Sequence, residues 1–515
     1  MTSLALAFLA GLVAAAGFEP LSLWPLTLLA FAGLLALVET APSLRSALAR
    51  GWWFGLGNFT LGLNWIATAF TYQSAMPAWL GWIAVVLLSL YLAVYPAMAA
   101  GLAWRWGRAN RLTLVLFLAA AWIVTEWLRA TMFTGFAWNP IGVTLVGTPA
   151  AKLSTLYGTY GLSGTAVLLA GTLYLAARRH WTRAAAVAGA VVAGGILVHL
   201  GHSPADTRPG VALRIVQPNI GQEYKYHPDF ADRNFERLHA LTGGPGPEGQ
   251  PRLILWPEAA VIDPLEDERR DPLARAYAAN LRRAIGRSIG PDDVLLTGGV
   301  SLLSDDGLRV SGATNSVYIM DDGGRIHARY DKAHLVPYGE YLPMRRLLEP
   351  IGLSRLVPGA IDFVPGPGPR SFPLPQLGLV GFQLCYEIIF SGDVVDRANR
   401  PNFLFNPSND AWFGAWGPPQ HLAQARLRAI EEGLPVLRST PTGISAVIDS
   451  EGRILARLGW REAGVIDARL PRPAPPTLFA RVGNLLPFLF ALALVAAGAA
   501  AMRRRHPIAE EGKAR

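Results

Sequence analysis

The chain has 515 residues, 51% of them hydrophobic and only 16% charged, with Lys plus Arg at 46 against Asp plus Glu at 37 and a formal net charge of +9. A soluble domain carries roughly 25% charged residues, so this composition excludes an ordinary soluble protein and points to a membrane protein. One cysteine excludes an internal disulfide and a Cys-rich zinc site, and the nine histidines form no H-E-x-x-H pair, so neither a metal nor a cofactor is expected.

In chain order, apolar windows predict spans near Leu4–Ala16, Leu21–Val38, Trp53–Phe70, Trp79–Trp104, Leu112–Trp127, Tyr157–Ala177 and Ala184–Leu200, with an eighth over Val482–Met502. Between Gly51 and Trp104 there is no Asp, Glu, Lys or Arg. A span takes about 20 residues, so this stretch is expected to cross twice and to turn near Thr71–Ser74. The first window lacks a basic n-region and more spans follow at once, so it is read as a span and not as a cleaved signal peptide.

Arginines set the orientation. One set of loops holds Arg45 and Arg50, then Arg105, Arg108 and Arg111, then Arg178, Arg179 and Arg183, and finally Arg503, Arg504 and Arg505; the opposite loops hold only Lys152. Both termini are therefore expected in the cytoplasm, and the long segment between the seventh and eighth spans on the outer face of the membrane. The domains follow: 1–204 a seven-span transmembrane domain, 205–476 an outer domain, 477–503 the eighth span and 504–515 a cytoplasmic tail. The positive charge is largely this topological signal, so no nucleic-acid partner is invoked.

The outer segment regains charge and is long enough for one domain with its own core. Val211–Val216, Leu253–Trp256, Val294–Gly299, Ser316–Met320, Leu377–Phe382, Phe403–Phe405 and Ile444–Ile448 read as strands, and Phe230–Leu241, Pro272–Ile285 and His421–Glu432 as helices. This alternation predicts an α/β fold with buried sheets. Three strand ends carry chemistry: Leu253–Trp256 runs into Glu258, Tyr330-Asp331 into Lys332, and the strand from Leu377 into Cys385. Cys385, taken alone, is either a small buried apolar residue or a reactive thiol. Beside a carboxylate and an amine it has a base for its proton and a fixed positive charge for an oxyanion.

"LILWPEAA" with Glu258, "YDKAHLVPYGEYLP" with Lys332 and Glu340, and "GFQLCYEIIF" with Cys385 resemble the Glu-Lys-Cys signature of the nitrilase superfamily. Set between seven spans and one, with "QPNIGQ" at 217–222, "NPSNDAWFG" at 406–414 and "RSTPTGISAVID" at 438–449, they resemble the bacterial apolipoprotein N-acyltransferase family. The resemblance implies a nitrilase-like α-β-β-α sandwich combined with an eight-helix transmembrane bundle. It also implies acyl transfer from a phospholipid donor to the free amine of a diacylglyceryl apolipoprotein acceptor, among membrane lipids, by a monomer. It assigns Glu258 as general base, Lys332 as oxyanion stabiliser and Cys385 as the acyl-carrying nucleophile. Glu340, Glu387 and Glu431 match supporting glutamates, the backbone N–H of Tyr386 a second oxyanion donor, and Tyr226 stands where the family has Trp.

Blander readings accompany these. Glu387 and Glu431 either support the site or neutralise Arg426 and Arg428. His334 reads as structural, Trp412 and Phe413 as core or acyl-pocket lining, and Glu126 with Arg129 as a local ion pair or a headgroup contact. The apolar, arginine-dotted segment Met344–Leu356 reads as a lid. The competing functions are a membrane-tethered nitrilase-type amidase or lipid hydrolase, which would deliver the acyl group to water, and a transporter, which would need ionisable groups within its spans.

Overall fold

The computed structural model describes residues 3–72, 77–201, 210–244, 250–351, 361–374 and 377–503. They fall into two compact units, one of Met1–Asn64, Trp82–His202 and Pro476–Arg515, the other of Trp65–Gly81 and Ser203–Pro475.

In the first unit, five helices among the described residues are long and apolar enough to cross a membrane: Leu80–Gly107, Arg111–Thr131, Pro149–Ala177, Trp181–Gly201 and Leu485–Arg503. Ser3–Ala15 and Trp24–Glu39 are shorter apolar helices. Large apolar side chains of Trp181–Gly201 (Val192, Ile196, Leu197, Leu200) and of Leu485–Arg503 (Leu485, Leu489, Leu492) are exposed. Lipid is the solvent that such faces require.

The third expected span is displaced. The helix runs over Leu44–Gly62 instead of Trp53–Phe70, so Arg45 and Arg50 lie inside it and not in a loop. Its start is set by Ser43, whose side chain accepts from the Ser46 N–H at 3.2 Å. Arg50 is tolerated because its guanidinium donates to the Leu37 carbonyl and, at 2.9 Å, to Thr40 Oγ1, at the C-terminal end of the preceding helix where carbonyls are left over. Glu39 at that same end pairs with Arg111 at 2.5 Å and Arg178 at 2.9 Å, which gathers two of the arginine-bearing helix ends. Of the two readings of Glu126 and Arg129, the structure takes the local one. Both side chains are buried, 4.0 Å apart, with Arg129 donating to the Trp138 carbonyl at 2.6 Å and Glu126 accepting from Trp122 Nε1 at 3.1 Å and the Ile141 N–H at 2.9 Å.

The second unit is a sandwich of two mixed sheets. Its strands are β1 Ala212–Gln217, β2 Arg252–Leu255, β3 Pro264–Asp267, β4 Val294–Leu303, β5 Gly312–Met320, β6 Ile326–Asp331, β7 Ser371–Leu374, β8 Gly378–Phe382, β9 Phe403–Pro407, β10 Val436–Ser439, β11 Ser445–Ile448, β12 Ile454–Leu458 and β13 Gly464–Arg469. One sheet has the order β13-β1-β2-β4-β5-β6 with β3 paired to β4; the other has β12-β11-β10-β9-β8-β7. Each has a parallel centre, β1-β2-β4 in the first and β8-β9-β10 in the second, and antiparallel flanks.

The period of two along the strands makes the layers. Leu253 and Leu255 of β2 face Phe382, Phe403, Phe405 and Leu437 of the other sheet in a shared core, while the intervening Ile254 and the following Trp256 pack outward with Leu238 and Ile285 of helices Ala231–Thr242 and Pro272–Gly286. Helix Gly417–Glu432 packs against the second sheet and completes the α-β-β-α order. Each fully buried Leu, Val or Phe contributes roughly 1.5–3 kcal/mol. Burial on both faces also explains why the central strands read as unbroken apolar runs. The strands that carry no such run, among them β6, β10, β12 and β13, hold arginines at Arg329, Arg438, Arg457 and Arg469.

Past Leu255 the chain leaves the sheet but stays beside β4, with the Trp256 N–H bonded to the Leu296 carbonyl at 2.9 Å and the Gly298 N–H to the Pro257 carbonyl at 3.3 Å. A Cβ on Gly298 would lie 2.6 Å from the Ala259 nitrogen and 2.7 Å from the Glu258 Cα. Gly298→Ala is therefore expected to displace Glu258 and to cost about 1–3 kcal/mol of stability, read as a lower thermal midpoint together with lost activity; an unchanged midpoint would show that the close approach is unimportant.

Candidate active site

Glu258, Lys332 and Cys385 follow β2, β6 and β8, and the sandwich brings the three together in its interior. The Lys332 ammonium is 1% exposed and lies 2.9 Å from Glu340 Oε2 and 3.6 Å from Glu258 Oε1. Burial by itself lowers a lysine pKa, but the charges of Glu340 and Glu258 outweigh it and raise that of Lys332, so the cation is permanent. Asn315 of β5 ties the two carboxylates, its Nδ2 donating to Glu258 Oε1 and to Glu340 Oε1 at 2.8 Å each. Glu340 also accepts from the Val336 N–H at 2.8 Å. The second Glu258 oxygen is buried with no hydrogen-bond partner among the described residues, a carboxylate oxygen able to take a proton.

Cys385 opens a short 3-10 turn, Cys385–Ile389, in the left-handed region at φ 49°. Burial first, then the charge of Glu258, push its thiol well above the ordinary 9.0, and Lys332 offsets only part of this. Lys332 does favour the thiolate, but desolvation and the carboxylates of Glu258 and Asp410 outweigh the one ammonium. The resting form of Cys385 is the thiol. The rate of Cys385 alkylation by iodoacetamide should accordingly rise through neutral pH without levelling off below about pH 9. A plateau near pH 7 would instead mean a resting thiolate.

Glu387 does not neutralise Arg426 or Arg428. Its Oε1 accepts from Tyr330 OH at 2.9 Å, the Ala333 N–H at 2.7 Å and the His334 N–H at 3.1 Å, and its Oε2 from the Leu384 N–H at 2.7 Å. One carboxylate thus fastens the loop carrying Lys332 to the loop carrying Cys385. Burial lifts its pKa to about 7 against Lys332 and these backbone donors. Glu431 takes the other reading: it pairs with Arg428 at 2.8 Å and accepts from Ser391 Oγ at 3.0 Å.

Tyr226 is within electrostatic reach of Glu258, Glu340 and Lys332, and burial, then Glu258, raise its phenol pKa so that it stays neutral. The His334 ring lies over Phe390 with centroids 3.8 Å apart, in keeping with a structural role, and the Tyr386 ring is edge-on to Phe390 at 5.2 Å. Trp412 and Phe413 are half-buried, with centroids 6.1 Å from Tyr72 and 4.6 Å from Trp65, both in the segment Trp65–Gly81. Of the expected lid, Arg345–Leu348 forms a short helix followed by a 3-10 turn over Glu349–Ile351, and 352–356 lie outside the described residues.

Several site residues carry no sequence signal of their own. Lys225 is buried and donates to the Glu258 carbonyl at 2.9 Å, and burial lowers its pKa to about 8 against the charges of Glu258 and Cys385. Asp410, His421 and Arg438 lie fully buried behind Cys385, and donor atoms of Cys385, Asp410 and His421 all fall within 4.8 Å of one another. Arg438 pairs with Asp410 at 2.5 Å, so the carboxylate already has its counter-charge. Asp410 and Arg438 sit inside the motifs at 406–414 and 438–449, which was the available hint; nothing in the sequence pairs them.

Comparison with known proteins accounts for both units. Residues 10–172 match the family model of the apolipoprotein N-acyltransferase N-terminal domain, and residues 212–474 that of carbon-nitrogen hydrolases. The apolipoprotein N-acyltransferase of Rhodopseudomonas palustris is 36% identical over 505 residues, which cover 93% of this chain and 91% of that protein. The chain belongs to the apolipoprotein N-acyltransferase family. Its relative in Bradyrhizobium diazoefficiens is 36% identical over 523 residues, covering 97% and 95% of the two chains, and the one in Caulobacter vibrioides 36% over 511, covering 93% and 91%. Among solved structures, a nitrilase-superfamily amidase from Nesterenkonia is similar at 18% identity and a TM-score of 0.34, covering 52% of this chain and 94% of that one. Membership makes this chain a membrane-bound acyltransferase with a nitrilase-type domain.

Proposed function

We propose that this protein transfers a fatty acyl chain from a phospholipid to the N-terminal amine of a diacylglyceryl-cysteine apolipoprotein, in two half-reactions through a thioester on Cys385. The observation that carries the reading is the buried set of thiol, carboxylate and ammonium, with Glu258 3.6 Å from a permanently charged Lys332. Cys385 attacks the donor ester carbonyl while Glu258 takes the thiol proton. The tetrahedral oxyanion is held by Lys332 and the Tyr386 N–H. The ester C–O bond breaks, Glu258 returns the proton to the departing oxygen, and a lysophospholipid leaves. The neutral amine of the acceptor then attacks the thioester, Glu258 takes its proton and passes it to the leaving sulfur, and an amide and the free thiol remain. Glu340 and Asn315 position Lys332 and Glu258, and Glu387 holds the two loops in register. Tyr226 and Trp412 are proposed to line the substrate side.

Topology completes the proposal: a monomer in the inner membrane, both termini cytoplasmic, with 205–476 on the outer face between the seven-span domain 1–204 and the last span 477–503, and 504–515 as tail. The arginine asymmetry supports it. Leu308 is 75% exposed. In a Cys385→Ala background, Leu308→Cys should be labelled by an impermeant maleimide added outside spheroplasts; labelling only after lysis would reverse the orientation.

Incubation with phospholipid alone should add one acyl mass to the protein. Cys385→Ala should abolish this, Lys332→Ala should slow it by about 10²–10³-fold as a lost oxyanion donor does, and Glu258→Gln by about 10²–10⁴-fold as a lost base does. Isolated acyl-enzyme divided between buffer and a diacylated peptide with a free N-terminal cysteine should persist in the first and yield N-acyl peptide in the second. Rapid release of fatty acid in both, with no peptide product, would establish the lipid hydrolase instead.

A further inference from the structure

Behind Cys385, on strands and a helix that contribute none of Glu258, Lys332 or Cys385, lies a second buried charge cluster that the mechanism above leaves unused. His421, in helix Gly417–Glu432, has Nδ1 2.9 Å from Asp410 Oδ1 and 3.0 Å from Arg438 Nη2, and Nε2 3.0 Å from the Cys385 carbonyl oxygen. Arg438 also donates to Ser408 Oγ at 2.9 Å, to the Ile444 carbonyl at 3.2 Å and to Asn406 Oδ1, while Asn406 Nδ2 donates to the Gln383 carbonyl at 2.5 Å. All of His421, Asp410, Arg438 and Asn406 are 0% exposed.

An Asp-His pair beside a cysteine suggests a base for the thiol, but the geometry gives Nε2 to the main-chain oxygen of Cys385. That oxygen belongs to a residue in the left-handed region, at φ 49°, a conformation that is strained for a side-chain-bearing residue and persists only where its surroundings hold it. In a trans peptide the C=O and the next N–H point in opposite directions. A donor that holds the Cys385 carbonyl on the His421 side therefore turns the Tyr386 N–H to the other side.

We infer that His421 is a positioning residue: its Nε2–H, with the far nitrogen held by Arg438, clamps the Cys385 carbonyl and so orients the Tyr386 N–H as an oxyanion donor. The tautomer follows from the donors. The Cys385 carbonyl can only accept, which places the proton on Nε2; Nδ1 then accepts from Arg438, and the same guanidinium lies between Nδ1 and Asp410, supplying the carboxylate with its donor. Burial, then Arg438, lower the His421 pKa, which keeps the ring neutral as this arrangement requires. The hydrogen bonds of the cluster reach the backbone of Cys385, and only the Asp410 charge is felt at the sulfur.

The inference rests on Cys385 being the acyl carrier, and its test separates the two. Full-length protein in detergent–phospholipid micelles is compared as wild type, His421→Leu and His421→Gln, since a glutamine amide nitrogen can donate from about the place of Nε2. For each, the rate of acyl-mass gain at several phospholipid concentrations and the rate of Cys385 alkylation by iodoacetamide, which develops no oxyanion, are measured. His421→Leu should lower the saturated acylation rate on the order of 10²-fold, leave the half-saturating phospholipid concentration unchanged, and leave alkylation within about threefold; His421→Gln should recover to within about tenfold of wild type. Wild-type acylation in His421→Leu, or alkylation falling in parallel with acylation, would overturn the positioning role, and a His421→Gln protein as slow as His421→Leu would point to proton transfer by the ring. A wild type that gains no acyl mass would refute the function proposed above instead. Should His421→Leu fail to fold, ¹⁵N shifts of the wild-type ring, assigned by the signal missing in His421→Gln, should report a proton on Nε2; a neutral ring protonated only on Nδ1 would refute the clamp.

Discussion

An ammonium with 1% exposure between two carboxylates is the constraint from which the catalytic unit is organised. A lone buried lysine would lose its proton, and a lone buried glutamate would hold one; together, Lys332, Glu340 and Glu258 keep a positive charge in a dry interior. The grouping is expensive to desolvate and tolerates no missing partner, which is why Asn315 bridges both carboxylates and backbone N–H groups complete Glu340. Two strands and a loop are thereby bound to a single charge arrangement. The site thereby holds a cation that stays charged and a glutamate oxygen with no hydrogen-bond partner among the described residues.

The same site keeps its nucleophile protonated. Burial and the neighbouring carboxylate act on Cys385 in one direction and Lys332 in the other, and the first pair prevails. Under the proposed acyl transfer, activation is coupled to a substrate ester that lets charge pass from sulfur to the oxyanion, so the sulfur is spared until a carbonyl is in place.

Around this centre, polar groups serve as fasteners. Glu387 gathers four donors from the Lys332 loop and the Cys385 turn, and Asp410, His421 and Arg438 secure the reverse side of the nucleophile's backbone. Buried polar networks of this kind are stable only when their members are satisfied, and then they specify one geometry. The left-handed Cys385 is the place where both sets of fasteners converge.

Much was legible in the residues themselves. Apolar windows located helices because lipid demands unbroken hydrophobic length, and the central strands were visible because a strand buried on both faces must be apolar throughout. Glu258, Lys332 and Cys385 stood out because each ends a strand beside a recognisable motif. What escaped is what depends on partners distant in the chain. The third helix begins at Leu44, where Ser43 caps it, and takes in Arg50 because that guanidinium finds carbonyls of the preceding helix, a contact no hydropathy window contains. Glu387 was indistinguishable from a charge-neutralising glutamate until the fold brought Tyr330 and Ala333 to it from 57 and 54 residues away. His421 lay on an ordinary helix, 36 residues from the carbonyl it holds. Sequence alone determines which segments must be buried and which side chains can do chemistry, because hydrophobic period and reactive group are local properties. Only the tertiary structure decides which charges meet and which proton is held where, because burial and electrostatics act through space and not along the chain.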